Sequence, residues 1–369
     1  MSILDAHREA LVRIARRSRT RSLIPRAGHD FASNDYLGLS RSAELRTAVA
    51  AALDRGVAIG AGGSRLLRGN DPEHEALEAE AAAFFGSEAS LFFSSGFAAN
   101  SAIFSTLPGG RDLIVHDSLI HASAHEGMRL GRAATVAAAH NDVDAFADAI
   151  ARWRAEGNKG RAWIAAESLY SMDGDKAPLA ELAALADREQ AFLLIDDAHA
   201  VGVFGRDGRG LADGLDGREN VVVLRTCGKA LGCEGALVCC PRVIADLLVN
   251  KGRGFIFSTA PSPLAAAAVR ASLDLVRAQP ERRDRLARLV AFAGGRLPPS
   301  GSQIVPVILG DDARTMAVAA GLQRRGFDVR GIRPPTVPTG TARLRISLTL
   351  NVDEAAVAAL ADAVTELTA

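Results

Sequence analysis

The chain has 369 residues, of which 48% are hydrophobic and 23% are charged. This composition excludes a largely disordered chain, and the length predicts two domains or one large domain with a satellite. Lys plus Arg equals Asp plus Glu at 43 each, so no overall field attracts nucleic acid or an anionic membrane, and we expect neither as a partner. No apolar run reaches the roughly 18 residues that a membrane span needs.

The first 25 residues carry charges from Asp5 onward and lack the apolar core of a secretory signal. Leu4, Leu11 and Ile14 have the spacing of an amphipathic helix, and we expect a cytoplasmic protein. Four cysteines lie within fourteen residues without C-x-x-C spacing, which indicates neither a disulfide framework nor a zinc site. We expect small buried thiols at these positions, which are Cys227, Cys233, Cys239 and Cys240.

The first strong start and stop signals belong to one helix. Asp71 is a favoured N-cap residue, Pro72 suits the first helical position and Gly86 suits the position after the end. The string "SLFFSS" then predicts a strand that meets Gly96 and the helix "FAANSAIFSTL". This order predicts a strand whose carboxyl end leads directly into a helix N-terminus.

The middle of the chain alternates short apolar strands with helical patterns, which is typical of βαβ units and a mainly parallel sheet. "RAWIAAES" predicts a strand, "PLAELAALADREQ" a helix and "AFLLIDD" the next strand. "NVVVLRT" is a near-continuous apolar run, as expected of a strand covered on both faces. The sequence therefore predicts an α/β fold.

The last ninety residues predict a small α+β domain. Three strings read as strands ("IVPVIL", "FDVRGI" and "TARLRISLTL"), and "ARTMAVAAGLQRRG" and "VDEAAVAALADAVTEL" read as helices. A connecting helix before them should be interrupted near Pro280. We place an N-terminal helix and arm at residues 1–45, a large cofactor-binding domain at 46–280 and the small domain at 281–369.

Three unusual polar groups fall at predicted carboxyl ends of strands, where open α/β sheets bind ligands. Asp196 and His199 close "FLLIDDAH", Lys229 follows "VVVLRT", and "SSGF" at 94–97 joins a strand to a helix N-terminus. The free N–H groups and the dipole of such a helix favour an anion. We therefore expect these groups to share one site.

A phosphate site, a carboxylate and a lysine between them are what pyridoxal phosphate requires. The helix N-terminus would take the phosphate, Asp196 would keep the pyridine nitrogen protonated, and Lys229 would form the Schiff base. We expect Gly228 and Gly232 to let the backbone approach a flat ring closely. A strand-end carboxylate with a nearby imidazole, as in "DDAH", is by itself equally compatible with a structural role.

Two other motifs, both nucleotide-binding, would indicate a different function. "GAGGSRLLRG" at 60–69 lacks the G-x-G-x-x-G spacing and follows no clear strand, which disfavours a nicotinamide oxidoreductase. The sequence also contains no G-x-x-x-x-G-K-S/T. A non-catalytic binding partner would not need Lys229.

Seven strings resemble, in order and over nearly the whole chain, the motifs of the α-oxoamine synthases. These are pyridoxal-phosphate enzymes of fold type I that are related to the class II aminotransferases. The strings are "NDYLGLS" (34–40), "FFSSGFAAN" (92–100), "HASAHEG" (121–127), "SMDGD" (171–175), "DDAHAVGVFGRDGRG" (196–210), "TCGKALG" (226–232) and "IRPPTVPTGTARLRISL" (332–348). The resemblance implies a large domain with a mainly parallel sheet, a small α+β C-terminal domain and a short N-terminal arm.

The resemblance also implies the residues that bind the cofactor. Gly96, Phe97 and Thr226 would lie at the phosphate, and His121 would stack on the pyridine ring. Ser171 and His199 would bond the phenolic oxygen of the cofactor, Asp196 would bond the ring nitrogen, and Lys229 would bind the aldehyde carbon. Lys229, His121 and Asp196 would be catalytic.

The implied substrate contacts come from both ends of the chain. Strand alternation places Arg343, Arg345, Ser347 and Thr349 on one polar face, and Arg345 resembles the carboxylate-binding arginine of the family. His121 and Thr336 would also contact substrate, and Arg21, with Arg19 as the alternative, would be the substrate-binding arginine of the N-terminal arm. Family members are homodimers that share the active site, and "FSTAPSP" at 257–263 would contribute a phosphate contact to the partner.

The string "IRPPTVP" together with "TARLR" resembles the biotin-pathway member more than the relatives that make aminolevulinate, aminoketobutyrate or ketosphinganine. That resemblance implies a condensation of L-alanine with a pimeloyl thioester, carried by coenzyme A or by acyl carrier protein, with release of carbon dioxide and the free thiol. The alternative within the family is a synthase that uses glycine or another acyl thioester.

Overall fold

The computed structural model describes residues 2–369 and divides them into two units. The large unit contains Leu37–Ser171 and Lys176–Arg283. The small unit contains the chain up to Tyr36, the short segment Met172–Asp175 and Asp284–Ala369. The division into residues 1–45, 46–280 and 281–369 stays a prediction.

Strands and helices alternate strictly from residue 89 to residue 196, and elements of one type follow one another elsewhere in the described residues. The strands are β1 (His29–Asp30), β2 (Ala89–Phe93), β3 (Leu113–Asp117), β4 (Ala134–Ala138), β5 (Ala162–Glu167), β6 (Phe192–Asp196), β7 (Val221–Thr226), β8 (Ala236–Cys240), β9 (Ile304–Gly310), β10 (Phe327–Asp328), β11 (Arg330–Ile332) and β12 (Ala342–Ser347). The helices are α1 (Asp5–Arg16), α2 (Ala43–Asp54), α3 (Pro72–Phe85), α4 (Gly96–Thr106), α5 (Ala122–Leu130), α6 (Val143–Ala155), α7 (Leu179–Arg188), α8 (Arg242–Lys251), α9 (Arg253–Ile256), α10 (Pro263–Ala278), α11 (Pro280–Gly294), α12 (Asp312–Arg324) and α13 (Glu354–Thr368).

The large unit is built on one mostly parallel sheet. Within residues 2–369 the sheet has seven strands in the order β2, β8, β7, β6, β5, β3, β4. Only β8 among them runs antiparallel to its neighbours, β2 and β7, and the remaining pairs are parallel. The carboxyl ends of β2, β5, β6 and β7 therefore lie at one edge, as the α/β prediction required.

The sheet is covered on both faces, because successive side chains of each strand belong to different cores. Leu194 of β6 packs in the cluster that contains α4, α5 and α8, whereas Leu193 and Ile195 pack in the cluster that contains α6 and α7. This double coverage explains why β5 and β7 are apolar almost throughout and buried at every position.

The predicted start and stop residues of helices act as expected. The Asp71 side chain accepts a hydrogen bond from the Glu73 N–H, Pro72 opens α3, and Gly86 ends it with a left-handed φ of 81°. Gln279 separates α10 from α11, and Pro280 is the first residue of α11, so the helix is interrupted where the sequence predicted. Cys227, Cys239 and Cys240 are buried and Cys233 is half-buried.

The small unit contains a three-stranded antiparallel sheet, ordered β11, β12, β9 over the described residues, and a parallel pair formed by β1 and β10. The prediction of a single strand over "FDVRGI" is wrong, because β10 pairs with β1 in one sheet and β11 pairs with β12 in another. The Val329 N–H bonds to the Phe327 carbonyl at 2.9 Å and turns the backbone between β10 and β11. Sequence periodicity cannot detect this change of partner.

The N-terminal helix α1 forms where the apolar spacing predicted it, yet none of its residues is buried. Leu11 and Ile14 are 65% and 41% exposed. No helix in residues 2–369 is long and apolar enough to cross a membrane.

Candidate active site

A cavity of about 140 Å³ lies at the carboxyl edge of the large sheet. Its walls come from the ends of β5, β6 and β7, from the N-termini of α4 and α5, and from the loops that follow β6 and β7. It is lined by Gly96, Phe97, Asn100, His121, Ser123, Glu167, Asp196, Ala198, His199, Leu224, Thr226 and Lys229. The fold thus brings together seven of the eight cofactor-binding residues predicted from sequence.

The N-terminus of α4 forms one end of this cavity. The Ser95 side chain caps the helix by accepting from the Ala98 N–H at 3.1 Å. Gly96 and Phe97 occupy the first two helical positions, whose N–H groups have no intrahelical acceptor. Thr226, at the end of β7, lies nearby, because a Cβ built on Gly96 would be 3.8 Å from its hydroxyl oxygen. Such a helix end with a hydroxyl beside it suits a phosphate.

Asp196 ends β6 with both carboxylate oxygens held by donors. Its Oδ2 accepts from Asn100 Nδ2 at 2.8 Å, and its Oδ1 accepts from the Ala198 N–H at 3.1 Å. These two N–H donors hold the carboxylate in one orientation. The residue therefore presents an oriented carboxylate to the cavity.

Asn100 joins this carboxylate to the imidazole of His121. The same Nδ2 amide donates to Ser123 Oγ at 2.9 Å, and Ser123 Oγ lies 2.8 Å from His121 Nδ1. The Ser123 backbone N–H also donates to Nδ1, at 3.2 Å. Because Nδ1 accepts, the neutral imidazole carries its proton on Nε2.

The electrostatics of His121 favour this neutral form. Burial is the largest cause and lowers the pKa of the imidazole below its ordinary 6.5, and the charge of Lys229 lowers it further. Asp196 opposes both effects by stabilising the cation. His121 therefore enters the site as a neutral ring that can lie against an aromatic cofactor.

Lys229 lies in a tight loop after β7. The Cys227 N–H bonds to the Gly235 carbonyl at 2.8 Å, and the Cys233 N–H bonds to the Cys227 carbonyl at 2.9 Å. Gly232 has a left-handed φ of 66°, and a Cβ there would lie 2.5 Å from the Ser40 backbone nitrogen. Gly232 is thus required by close packing against the chain at Ser40, a different reason from the ring approach that we predicted.

Two residues predicted to meet the phenolic oxygen differ in placement. His199 is buried and lines the cavity. Ser171 is also buried, but it is absent from the cavity lining in the described chain, and its backbone N–H donates to Glu167 Oε2 at 3.2 Å. The role of Ser171 stays a prediction.

The predicted substrate residues other than His121 belong to the small unit. Arg345 is buried, and its Nη1 donates to Ser347 Oγ at 2.8 Å. Arg343, on the same strand face, pairs with Asp173 and donates to the Met172 carbonyl. Arg21 and Thr336 are exposed, and Arg19 pairs with Asp312 at 3.2 Å. The face that alternation marked as polar is therefore buried, and the substrate roles stay predictions.

Sequence reasoning missed three polar residues of the cavity, Asn100, Ser123 and Glu167. Glu167 is the last residue of a buried apolar strand. The rule that identified Asp196, a polar residue at the carboxyl end of an apolar strand, therefore applies to Glu167 as well. Asn100 and Ser123 lie inside helices α4 and α5. Only the packing of these two helices shows that both side chains face one cavity.

A buried ion pair supports the strand ends below the cavity. Arg225 of β7 is fully buried, and its guanidinium donates two hydrogen bonds to Asp216, at 2.9 and 2.8 Å. Its Nε also lies 3.7 Å from Asp197. Arg225 is thus a structural neighbour of Thr226 that faces away from the cavity.

The lining fits pyridoxal phosphate by the chemistry of its groups. The cavity offers an amine at Lys229, a hydrogen-bonded carboxylate at Asp196, a neutral imidazole at His121 and a helix N-terminus at Gly96. These are the four kinds of group that the aldehyde, ring nitrogen, ring face and phosphate require.

The model of the family aminotransferase class I and II matches residues 28–364, and the chain therefore belongs to this family. It is 45% identical over 340 residues to the 8-amino-7-oxononanoate synthase of Anaeromyxobacter dehalogenans, covering 90% of this chain and 84% of that protein. It is 43% identical over 343 residues to the same enzyme of Mycolicibacterium smegmatis, covering 89% of this chain and 87% of that protein.

Solved structures show the same relationship. An 8-amino-7-oxononanoate synthase from Francisella tularensis has a TM-score of 0.78 at 28% identity and covers 92% of this chain and 97% of its own. A variant serine palmitoyltransferase from S. paucimobilis, with bound PLP–myriocin, has a TM-score of 0.89 at 25% identity and covers 100% of this chain and 98% of its own. The predictions of fold class and family are confirmed.

Proposed function

We propose that this chain is a pyridoxal-phosphate-dependent acyltransferase that condenses L-alanine with a pimeloyl thioester in biotin biosynthesis. The products are 8-amino-7-oxononanoate, carbon dioxide and the free thiol carrier. The observation that carries the proposal is the 45% identity, over 90% of the chain, to proteins that bear this enzyme's name. The cavity supports it, because Lys229 and Asp196 line the same space.

The residues of the large unit would hold the cofactor by its polar groups. Lys229 Nζ would bind the aldehyde carbon, Asp196 the ring nitrogen, and the N-terminus of α4 with Thr226 the phosphate. When bound, pyridoxal phosphate supplies an electron sink for the negative charge that develops on the substrate. Asp196 maintains that sink, because its fixed carboxylate favours a protonated ring nitrogen.

The protein's own groups account for positioning and proton transfer. Lys229 Nζ would take the proton from the alanine Cα, and positioned proton transfer of this kind contributes roughly 10²–10⁴-fold to a rate. His121 would lie against the ring and direct its Nε2–H toward the substrate. Arg345 would bind the alanine carboxylate through charge-assisted hydrogen bonds, with Arg21 and Thr336 as further substrate contacts.

Coenzyme A and acyl carrier protein both remain candidate thiol carriers in this proposal. We also propose a homodimer with a shared active site. Helix α1 supports it, since it buries none of its residues in the described chain and carries Leu11, Val12 and Ile14 at 65%, 49% and 41% exposure; several exposed apolar residues on one helix suit an interaction surface. The cytoplasmic location stays a prediction.

A product assay tests the proposal. The full-length protein loaded with pyridoxal phosphate is mixed with pimeloyl-CoA or pimeloyl-acyl carrier protein. Each thioester is tested in separate reactions with alanine, with glycine and with serine. We expect a product with the mass of 8-amino-7-oxononanoate with alanine, together with equimolar free thiol. Condensation products that form with glycine or serine but not with alanine would reject the proposal. Thiol release without any condensation product would also reject it. The variant Lys229→Ala is the control for catalysis by free cofactor.

A further inference from the structure

Glu167 and Asp196 occupy matching positions on adjacent strands. Glu167 ends β5, Asp196 ends β6, and the two residues are directly paired in the parallel register. Paired residues of neighbouring strands project from the same face of a sheet. Both side chains accordingly line the cavity that contains Lys229.

The two carboxyl groups have different surroundings. Glu167 is 3% exposed. Its Oε2 accepts one hydrogen bond, from the Ser171 N–H at 3.2 Å, while its Oε1 is buried and has no hydrogen-bond partner among the described residues. Both oxygens of Asp196 accept N–H donors. An ionised carboxylate needs such donors, so the site is built to hold charge on Asp196 and not on Glu167.

The other charges around Glu167 point the same way. Burial raises the pKa of Glu167 well above its ordinary range, and the carboxylates of Asp196 and Asp117 raise it further. The charge of Lys229 and the Ser171 N–H lower it, but less than burial raises it. The carboxylate of Asp117, which ends β3, has its own hydrogen-bond partners. Its Oδ1 lies 2.9 Å from His140 Nδ1 and accepts from the Leu119 N–H at 2.8 Å.

We propose that Glu167 is a positioning residue that keeps its proton in the folded protein and leaves Asp196 as the anion beside the cofactor ring. The inference rests on the proposed function in assigning Asp196 to the ring nitrogen. A second negative charge next to Asp196 would compete for the same ring proton and would stabilise the charged form of the Lys229 nitrogen. The proton on Glu167 removes that competition.

Infrared spectroscopy of the full-length protein loaded with pyridoxal phosphate tests the protonation state directly. Protein labelled with ¹³C at the glutamate side-chain carboxyl should show, at pH 7, a carbonyl band of a protonated acid that is displaced relative to unlabelled protein. Because only glutamate is labelled, the band of Glu167 is distinguished from that of Asp197. Burial raises the pKa of Asp197 to about 7. Glu167→Gln should abolish the labelled band.

Glu78→Gln is the matched control. Glu78 pairs through both oxygens with Arg65, at 2.8 and 2.9 Å, which is the geometry of a charge-assisted pair. We expect the labelled band to persist in Glu78→Gln. The proposal is overturned if wild-type protein lacks a labelled carbonyl band at pH 7, a result that does not depend on whether the Gln variants fold.

A second readout uses the visible absorption of the bound cofactor, titrated with pH. With a neutral Glu167, the variant Glu167→Gln should leave the midpoint of this titration nearly in place. An ionised Glu167 within reach of Lys229 would instead make the midpoint fall by about one pH unit or more on substitution. Failure of wild-type protein to form 8-amino-7-oxononanoate would reject the proposed function and leave the labelled band unaffected.

Discussion

Replacing Asn100 with Leu removes the group that connects Asp196 to His121 and keeps a side chain of similar size. Asn100 is 4% exposed, and its Nδ2 amide donates to Asp196 Oδ2 at 2.8 Å and to Ser123 Oγ at 2.9 Å. The first bond goes to a charged acceptor, which is worth about 1.5–3 kcal/mol, and the second is neutral and worth about 0.5–1.5 kcal/mol. Their sum bounds the loss at about 2–4.5 kcal/mol.

The loss should appear mainly in cofactor binding. Without Asn100, Asp196 retains the hydrogen bond from the Ala198 N–H but loses the one to its other oxygen, so its carboxylate is less well oriented toward the ring nitrogen. A loss of about 1.5–3 kcal/mol corresponds to roughly 10–150-fold weaker binding of pyridoxal phosphate. Fluorescence titration of cofactor-free Asn100→Leu with pyridoxal phosphate measures this change, and circular dichroism checks that the variant is folded.

Ser105→Ala is the control on the same helix. The Ser105 hydroxyl donates to the Ser101 carbonyl at 2.6 Å and lies outside the cavity lining, so its loss should leave the cofactor affinity within about twofold. Wild-type affinity in a folded Asn100→Leu protein would refute the reasoning, because it would mean that the Asp196 carboxylate needs no orienting donor from α4.

Four further outcomes are expected. Lys229→Ala should abolish turnover and the visible band of the bound cofactor, as measured by absorption and product mass; multiple turnovers without added amine would contradict the assignment. Asp216→Asn removes the carboxylate that accepts two hydrogen bonds from the buried Arg225 guanidinium and leaves Asp197, at 3.7 Å, as the carboxylate beside it. It should lower the free energy of unfolding by up to about 3–5 kcal/mol in urea titrations; a change below about 1 kcal/mol would show that the pair is not needed. Arg345→Ala should raise the KM for alanine by about tenfold or more with little change in the KM for the thioester, and equal changes in both would mean that it does not bind the amino acid. Because burial lowers the pKa of His121 below 6.5, its contribution to stability is complete above about pH 6.5 and is lost as pH falls through the lowered pKa. Between about pH 7.5 and pH 5.5, the free energy of unfolding measured in urea should therefore fall less for His121→Asn than for wild type. The difference should be up to about 1.4 kcal/mol per pH unit.

Local sequence was enough to predict the elements that flank the site, from β2 with α4 to β5, α7, β6 and β7, and the edge of the sheet at which the site lies. Runs such as "NVVVLRT" are apolar almost throughout because both faces of the sheet are covered, so local composition indicates that burial. Asp196 and Lys229 follow such runs directly, so their position at the carboxyl edge follows from chain connectivity alone. Local start and stop chemistry likewise determined α3, from Asp71 to Gly86.

Tertiary structure decided everything that depends on which elements become neighbours. The pairing of β5 with β6 puts Glu167 beside Asp196, and the packing of α4 on α5 lets Asn100 reach both Asp196 and Ser123. The division of residues 327–332 between two sheets is of the same kind. The Asn100–Asp196 hydrogen bond joins residues 96 positions apart in the chain, and the pairing of His29 with Phe327 joins more distant ones. No local pattern of charge or hydrophobicity specifies which distant side chain will satisfy a given hydrogen-bond donor.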